Sequence, residues 1–235
     1  MMVPMDEVLI EGTDPLVREY LGDACPRIAR FAEMLAAEGV ARGLIGPREV
    51  PRLWARHLLN SAAVASLLPA DGTVVDVGSG AGLPGIVLAC MRTGGDTVLL
   101  EPMERRATWL QEVVTELRLP SVEVVRARAE EMHGKLSAAA VVARAVAPMD
   151  RLAGWTLPLL ATGGVLLAMK GSRAADELRT AAAAISRLGG GAADVVLASS
   201  IEGVTPTTVV RVVKQRTVPT PLRQGTPRAS RRRSR

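Results

Sequence analysis

One stretch constrains what this chain can fold into. Thr73-Val74-Val75-Asp76-Val77 runs directly into Gly78-Ser79-Gly80-Ala81-Gly82-Leu83-Pro84-Gly85. β-Branched residues suit an extended strand, and four glycines within the next eight residues end it in a tight turn. The apolar run Ile86-Val87-Leu88-Ala89-Cys90-Met91 then predicts a helix. A strand feeding a glycine turn that opens a helix is a recurrent cradle for a nucleotide-like ligand. Glycine permits the turn and lets the backbone approach the ligand closely.

The rest of the chain falls into place around this unit. Ahead of it, Asp14 can cap a helix whose first position suits Pro15. A second helix is predicted from Pro26 to about Glu38 and can end at Gly39. A third is predicted from Pro47 or Pro51 to about Leu68, and residues 1–13 read as loosely ordered. From Thr73 the pattern changes to alternating strands (73–77, 97–101, 122–126, 138–143, 163–169, 193–199, 207–213) and helices (84–92, 103–118, 150–160, 173–188). This alternation implies an α/β fold, with a mostly parallel sheet covered by helices on both faces. The link from Ser200 to Pro206 is too short for a crossover helix, so the last two strands are expected to form an antiparallel hairpin at the sheet edge. Seven strands with that final reversal resemble the Rossmann-like methyltransferase fold, whereas a dehydrogenase domain usually lacks the reversal. The domain reading is a helical cap over 1–70, the α/β domain over 71–216 and a disordered basic tail over 217–235.

Composition excludes several function classes. At 235 residues and 48% hydrophobic, the chain can bury a real core. Its aromatics are few for a binder of single strands by base stacking. No apolar run reaches membrane-spanning length, and the N-terminus lacks a basic start followed by an apolar stretch. Cys25 and Cys90 lie far apart and read as reduced and structural, which fits a cytoplasmic protein. The net charge of +5 hides an asymmetry. Nine of the 29 basic residues lie between Arg211 and Arg235 with no acid among them, leaving 20 against 24 acids in the body. A mildly acidic body with a cationic tail reads as an arm for an anionic partner, most often nucleic acid.

Within the motif, Gly80-Ala81-Gly82-Leu83-Pro84-Gly85 matches GxGxxG and alone would suggest NAD. However, the glycines begin earlier, as Asp76-x-Gly78-x-Gly80-x-Gly82. In doubly wound methyltransferases an acidic strand end followed by GxGxG holds the methionine part of S-adenosylmethionine. Asp76 merely capping the glycine turn remains the alternative. Glu101, at the tip of the second strand, is placed to accept two ribose hydroxyls, as both cofactors require. The turn after the third strand puts Ala129 and Glu130 where an adenine edge is commonly read. Arg144 and Lys170 end the fourth and fifth strands and would present positive charge to phosphate, a base or a cofactor carboxylate. No Asn/Asp-Pro-Pro-Tyr/Phe motif follows the fourth strand, and no cysteine sits where a pyrimidine-C5 methylator needs its nucleophile. His57 and His133 are too few for a metal site.

Taken together, these residues resemble the RsmG (GidB) family of 16S rRNA guanine-N7 methyltransferases, of the high-GC Gram-positive (actinobacterial) branch. The matching pieces are Arg56-His57-Leu58-Leu59-Asn60-Ser61, the glycine motif through Leu83-Pro84-Gly85-Ile86, Leu99-Leu100-Glu101, Arg128-Ala129-Glu130-Glu131, Ala143-Arg144-Ala145 and Met169-Lys170-Gly171. They occur in the family's order over about residues 30 to 215. The resemblance implies S-adenosylmethionine as cofactor, with contacts at Gly78, Leu83, Ala129, Glu130 and Arg144. It also implies one guanine of 16S rRNA, free or in the 30S subunit, as target. The residue reading adds Asp76, Gly80, Gly82 and Glu101 to the cofactor site. It assigns Arg144 to positioning, and Arg56, His57 and Lys170 to the RNA. The chain departs from many members in having Val40-Ala41-Arg42-Gly43-Leu44-Ile45-Gly46 where they carry Lys-Trp-Asn-x-x-x-Asn-Leu-Thr, and in its basic tail. A monomer without membrane contact is expected. The competing readings are a nicotinamide-dependent oxidoreductase and a non-catalytic RNA-binding assembly factor.

Overall fold

The computed structural model describes residues 10–144 and 146–218. Most of the basic tail read as disordered, and residues 1–9 of the segment read as loosely ordered, lie outside the described residues.

Seven strands form one sheet: β1 Val74–Val77, β2 Thr97–Leu100, β3 Val122–Val125, β4 Ala138–Arg144, β5 Leu160–Lys170, β6 Gly190–Ala198 and β7 Thr207–Lys214. Their order across the sheet is β3-β2-β1-β4-β5-β7-β6. The first five strands run parallel. β7 runs antiparallel and lies between β5 and β6, so the expected terminal reversal is present. The intervening helices are α4 Gly85–Met91, α5 Glu104–Glu116, α6 Met149–Thr156 and α7 Ala174–Arg187, each within a few residues of the sequence expectation.

Side chains alternate across the central strands. Leu99 packs with Ile86 and Val87 of α4 and Trp109 and Leu110 of α5. Val98 and Leu100 pack with Leu152 of α6 and Ile185 of α7 on the opposite face. Every residue of β1 and β2 is buried, as a strand covered by helices on both sides requires.

The front of the chain shares the first of these cores. α1 Pro15–Leu21 begins as expected, with the Asp14 side chain accepting from the Leu16 N–H at 2.8 Å. α2 Cys25–Glu38 buries Ile28, Phe31 and Leu35 against α4 and α5. Gly39 ends it for a different reason than a left-handed cap: its φ is −59°. A Cβ there would lie 2.4 Å from the Leu35 carbonyl oxygen and 2.8 Å from Ile45 Cγ1, so close packing demands the glycine.

The expected third helix is not one helix. It is a 3-10 turn at Pro47–Arg52, a π-helical turn at Leu53–Leu58, α3 Leu59–Ala63 and a 3-10 turn at Val64–Leu67. Pro51 has no N–H to donate inside the first segment. In the π turn, Leu53 and Leu58 are five residues apart and both buried, a spacing that suits a turn wider than an α-helix. This irregular segment carries Arg56 and His57.

Candidate active site

The carboxyl ends of the parallel strands converge on a cavity of about 610 Å³, within the range of small-molecule and cofactor sites. It opens between β1 and β4, where the strand order changes direction. Val142 pairs with Asp76, so β4 runs two residues further and brings Arg144 level with the glycine loop.

The loop forms one wall through Gly78, Ser79, Gly80, Ala81 and Leu83. Gly78 has φ +74°, and a Cβ on it would lie 3.2 Å from Val146 Cγ2. This is a bare backbone cradle that a side chain would fill. Two buried groups hold it in shape. Glu101, 2% exposed, accepts from the Gly80 N–H through Oε2 and from the Met103 N–H through Oε1, each at 2.9 Å. Trp109 of α5 donates from Nε1 to the Ala81 carbonyl at 3.0 Å, with Arg42 stacked on its ring at 5.2 Å. A carboxylate has about four acceptor positions. Glu101 therefore lines the cavity with acceptor capacity left for hydroxyls. Ala129 and Glu130 line the same end, on the 3-10 turn after β3, as expected.

Asp76 is placed differently from the cofactor-contact expectation. It does not line the cavity. It is fully buried behind the loop, where Oδ2 accepts from the Gly85 N–H at 3.0 Å and anchors the start of α4. A Cβ on Gly85 would lie 2.4 Å from that same Oδ2, which explains the glycine. The Ser79 hydroxyl lies close enough to favour the ionised carboxyl, but it donates to the Asp76 backbone carbonyl at 3.1 Å. Oδ1 of Asp76 is left without a hydrogen bond among the described residues. Burial pushes the Asp76 carboxyl up to about 7, against the pull of its hydrogen bonds and of Arg144. Gly82 also lies outside the lining. At φ +103° it packs under Phe31 and Ile86. Both residues shape the loop and do not face the cavity.

The opposite end of the cavity belongs to the irregular segment. Arg144 lines it, as a charged strand end at the carboxyl edge was expected to, and so do His57, which the sequence assigned to RNA, and Glu49, which the sequence reading missed. Arg144 Nη2 lies 2.6 Å from His57 Nδ1, and His57 Nε2 lies 2.7 Å from Glu49 Oε2. Burial and the Arg144 guanidinium hold His57 below its usual pKa, opposed by Glu49. Glu49 is itself held low, mainly by its hydrogen bond to His57. The only sequence signal for Glu49 was an acid eight residues before His57, which a regular helix would not have brought to this position.

Two of the residues assigned to RNA sit elsewhere. Lys170 is not on the cavity: its Nζ donates to the Ala147 carbonyl at 2.6 Å and to Glu177 at 2.8 Å, and its side chain is 8% exposed. It ties the loop after β4 to α7 instead of presenting charge to a ligand. Arg56 is exposed and also off the cavity, and its carbonyl accepts from Arg144 Nη2 at 3.2 Å. Arg106, which sequence reasoning did not single out, lines the cavity, and its Nε has no partner among the described residues.

The family model for rRNA small subunit methyltransferase G matches residues 24–201. The chain belongs to that family. Relatives agree: a protein of Thermobifida fusca named ribosomal RNA small subunit methyltransferase G is 54% identical over 89% of this chain and 86% of its own length. A protein of the same name from Beutenbergia cavernae is 60% identical over 70% of this chain and 78% of its own. Solved structures match the fold alone. A precorrin-6y C5,15-methyltransferase from Geobacter metallireducens matches with a TM-score of 0.51 at 19% identity, covering 73% of this chain and 91% of that one. An O-methyltransferase from Thermotoga maritima matches with a TM-score of 0.51 at 15% identity, covering 79% and 73%. Family membership decides against the nicotinamide reading that the literal GxGxxG permits.

Proposed function

We propose that the chain transfers a methyl group from S-adenosylmethionine to N7 of one guanine in 16S rRNA, free or within the 30S subunit. The observation that carries this reading is the cavity: a bare glycine cradle and Glu101 at one end, Glu49, His57 and Arg144 at the other, in a chain of the rRNA small subunit methyltransferase G family. The residues fit the cofactor. Glu101 would take the ribose hydroxyls, the backbone of Gly78 to Ala81 would lie against the amino-acid end, and Ala129 with Glu130 would border the adenine. When bound, the cofactor supplies an electrophilic methyl group on a sulfonium.

Guanine N7 carries a free lone pair at neutral pH, so the protein has no proton to remove there. The work left to the side chains is alignment and shielding from water, which can supply most of the rate. Arg144 and His57 stand where an entering base would meet the cofactor's amino-acid end. Methylation leaves a positive charge on the base, which the surrounding rRNA phosphates can offset. In this reading residues 71–216 are the methyltransferase unit, 1–70 a cap that closes the cavity, and 217–235 a cationic arm for RNA; the chain acts as a monomer in the cytoplasm.

The test is transfer of labelled methyl from S-adenosylmethionine to 30S subunits or 16S rRNA lacking the modification, with the position read by primer extension after cleavage at 7-methylguanosine. Absence of transfer by a folded protein that binds S-adenosylhomocysteine would reject the assignment.

A further inference from the structure

Arg144, His57 and Glu49 form a chain of hydrogen bonds whose direction is dictated by chemistry. A guanidinium donates from every nitrogen and accepts at none. At 2.6 Å from Arg144 Nη2, His57 Nδ1 must therefore be the acceptor. The imidazole is then neutral with its single proton on Nε2, and that proton is donated to Glu49 Oε2 at 2.7 Å. Protonating Nδ1 would set one donor against another. The burial that holds His57 below its usual pKa works in the same direction.

The three groups come from two distant parts of the chain. Glu49 lies on the 3-10 turn at Pro47–Arg52, His57 on the π turn that follows it, and Arg144 at the end of β4. The π turn also leaves the Arg56 carbonyl where it accepts from the same Nη2 at 3.2 Å. Nη2 is thus fully committed within the chain, while Nη1 is buried without a partner among the described residues. A buried cationic donor left unpaired is costly unless a ligand supplies an acceptor, and Arg144 lines the cavity where ligands enter.

We propose that Glu49 is a positioning residue for methyl transfer, which fixes the tautomer of His57 and through it the direction in which Arg144 offers Nη1 to the ligands of the cavity. This rests on the methyltransferase reading above. Glu49 acts here through its hydrogen bond and not its charge, so the amide replacement should serve nearly as well. A glutamine oxygen accepts from His57 Nε2 as the carboxylate does, and the other orientation of the amide would oppose the donor on Nε2.

The experiment compares Glu49→Ala, Glu49→Gln, His57→Leu and His57→Gln with the wild-type chain in methyl transfer to unmodified 30S subunits, alongside thermal unfolding. His57→Gln retains an acceptor for Arg144 and a donor for Glu49; His57→Leu removes both. The expected result is a loss of about tenfold to a hundredfold in kcat/KM for Glu49→Ala and His57→Leu, with both glutamine variants within about threefold of wild type. Melting midpoints should stay close together, because Glu49 is one-third exposed and carries no part of the core. Glu49→Gln falling as far as Glu49→Ala would overturn the proposal in favour of a charge effect. Full activity of Glu49→Ala would overturn it outright. Losses that merely follow lowered melting midpoints would overturn it in favour of a structural role. An inactive wild-type chain would count against the methyltransferase reading itself, which separates the two failures.

Discussion

Asp76→Asn should stabilise the protein above neutral pH and destabilise it in acid. Asp76 is fully buried, and burial moves its carboxyl from 3.8 to about 7. Each pKa unit corresponds to about 1.4 kcal/mol, so keeping this carboxylate ionised in the folded state costs about 4 kcal/mol. The direction follows from proton binding. Between pH 3.8 and about 7 the folded chain retains the proton that the unfolded chain releases. Stability from this group therefore falls as pH rises through that window, and the whole cost is present above it.

Asparagine has nearly the same shape, and its amide oxygen can take over the bond from the Gly85 N–H. Its NH₂ would occupy the place of Oδ1, which has no partner among the described residues, and burying those donors costs about 1–3 kcal/mol. The variant should thus be more stable than wild type by about 1–3 kcal/mol at pH 8. Near pH 4.5 the buried carboxyl still costs the wild type about 1 kcal/mol, so the variant should be less stable there by up to about 2 kcal/mol. Urea unfolding followed by tryptophan fluorescence measures this, since Trp109 is fully buried. Taking variant minus wild type cancels the other titrating groups. A difference that does not change between the two pH values would refute the argument that Asp76 is a buried, destabilising carboxylate.

Three further outcomes follow from the loop and the termini. Gly82→Ala forces a side chain to φ +103° and places its Cβ 2.8 Å from Ile86 Cγ1 and 3.1 Å from Phe31 Cζ. It should lose about 1–3 kcal/mol in thermal or urea unfolding, and an unchanged midpoint would contradict the packing described. Glu101→Ala strands the N–H groups of Gly80 and Met103, so binding of S-adenosylhomocysteine should weaken by about tenfold or more in titration calorimetry; wild-type affinity would remove Glu101 from the site. Deleting residues 217–235 removes six basic residues. RNA affinity should drop and its salt dependence flatten by about 0.7–0.9 for each phosphate the arm no longer neutralises, with cofactor affinity unchanged; equal RNA affinity at low salt would mark the arm as passive.

Much of the fold was legible because its signals are local. The β-branched run into Gly78, the alternation after Thr73 and the Asp14-Pro15 helix start all act over a few residues, and each appears where expected. The short link after Ser200 was enough to anticipate the reversal of β7. The third helix was misread because a run of apolar residues at roughly helical spacing cannot distinguish an α turn from a π turn. Leu53 and Leu58 choose the wider turn when both find buried places against the front core. Lys170 looked like a ligand contact because it ends a strand, yet Glu177, on the next helix, captures it. Asp76 and Glu101 both ended strands as acids, and only packing separated them: one is sealed behind the loop on Gly85 and the other opens onto the cavity.

The sequence by itself determined the sheet, the glycine cradle and the family, because these depend on short-range patterns and on a long motif that few folds share. Tertiary structure alone decided which polar groups meet. Glu49 and His57 reach Arg144 across 87 or more residues of chain, through a π turn that local propensity does not foretell. The direction of that chain follows from one fact available only once the atoms are adjacent: arginine can donate but cannot accept.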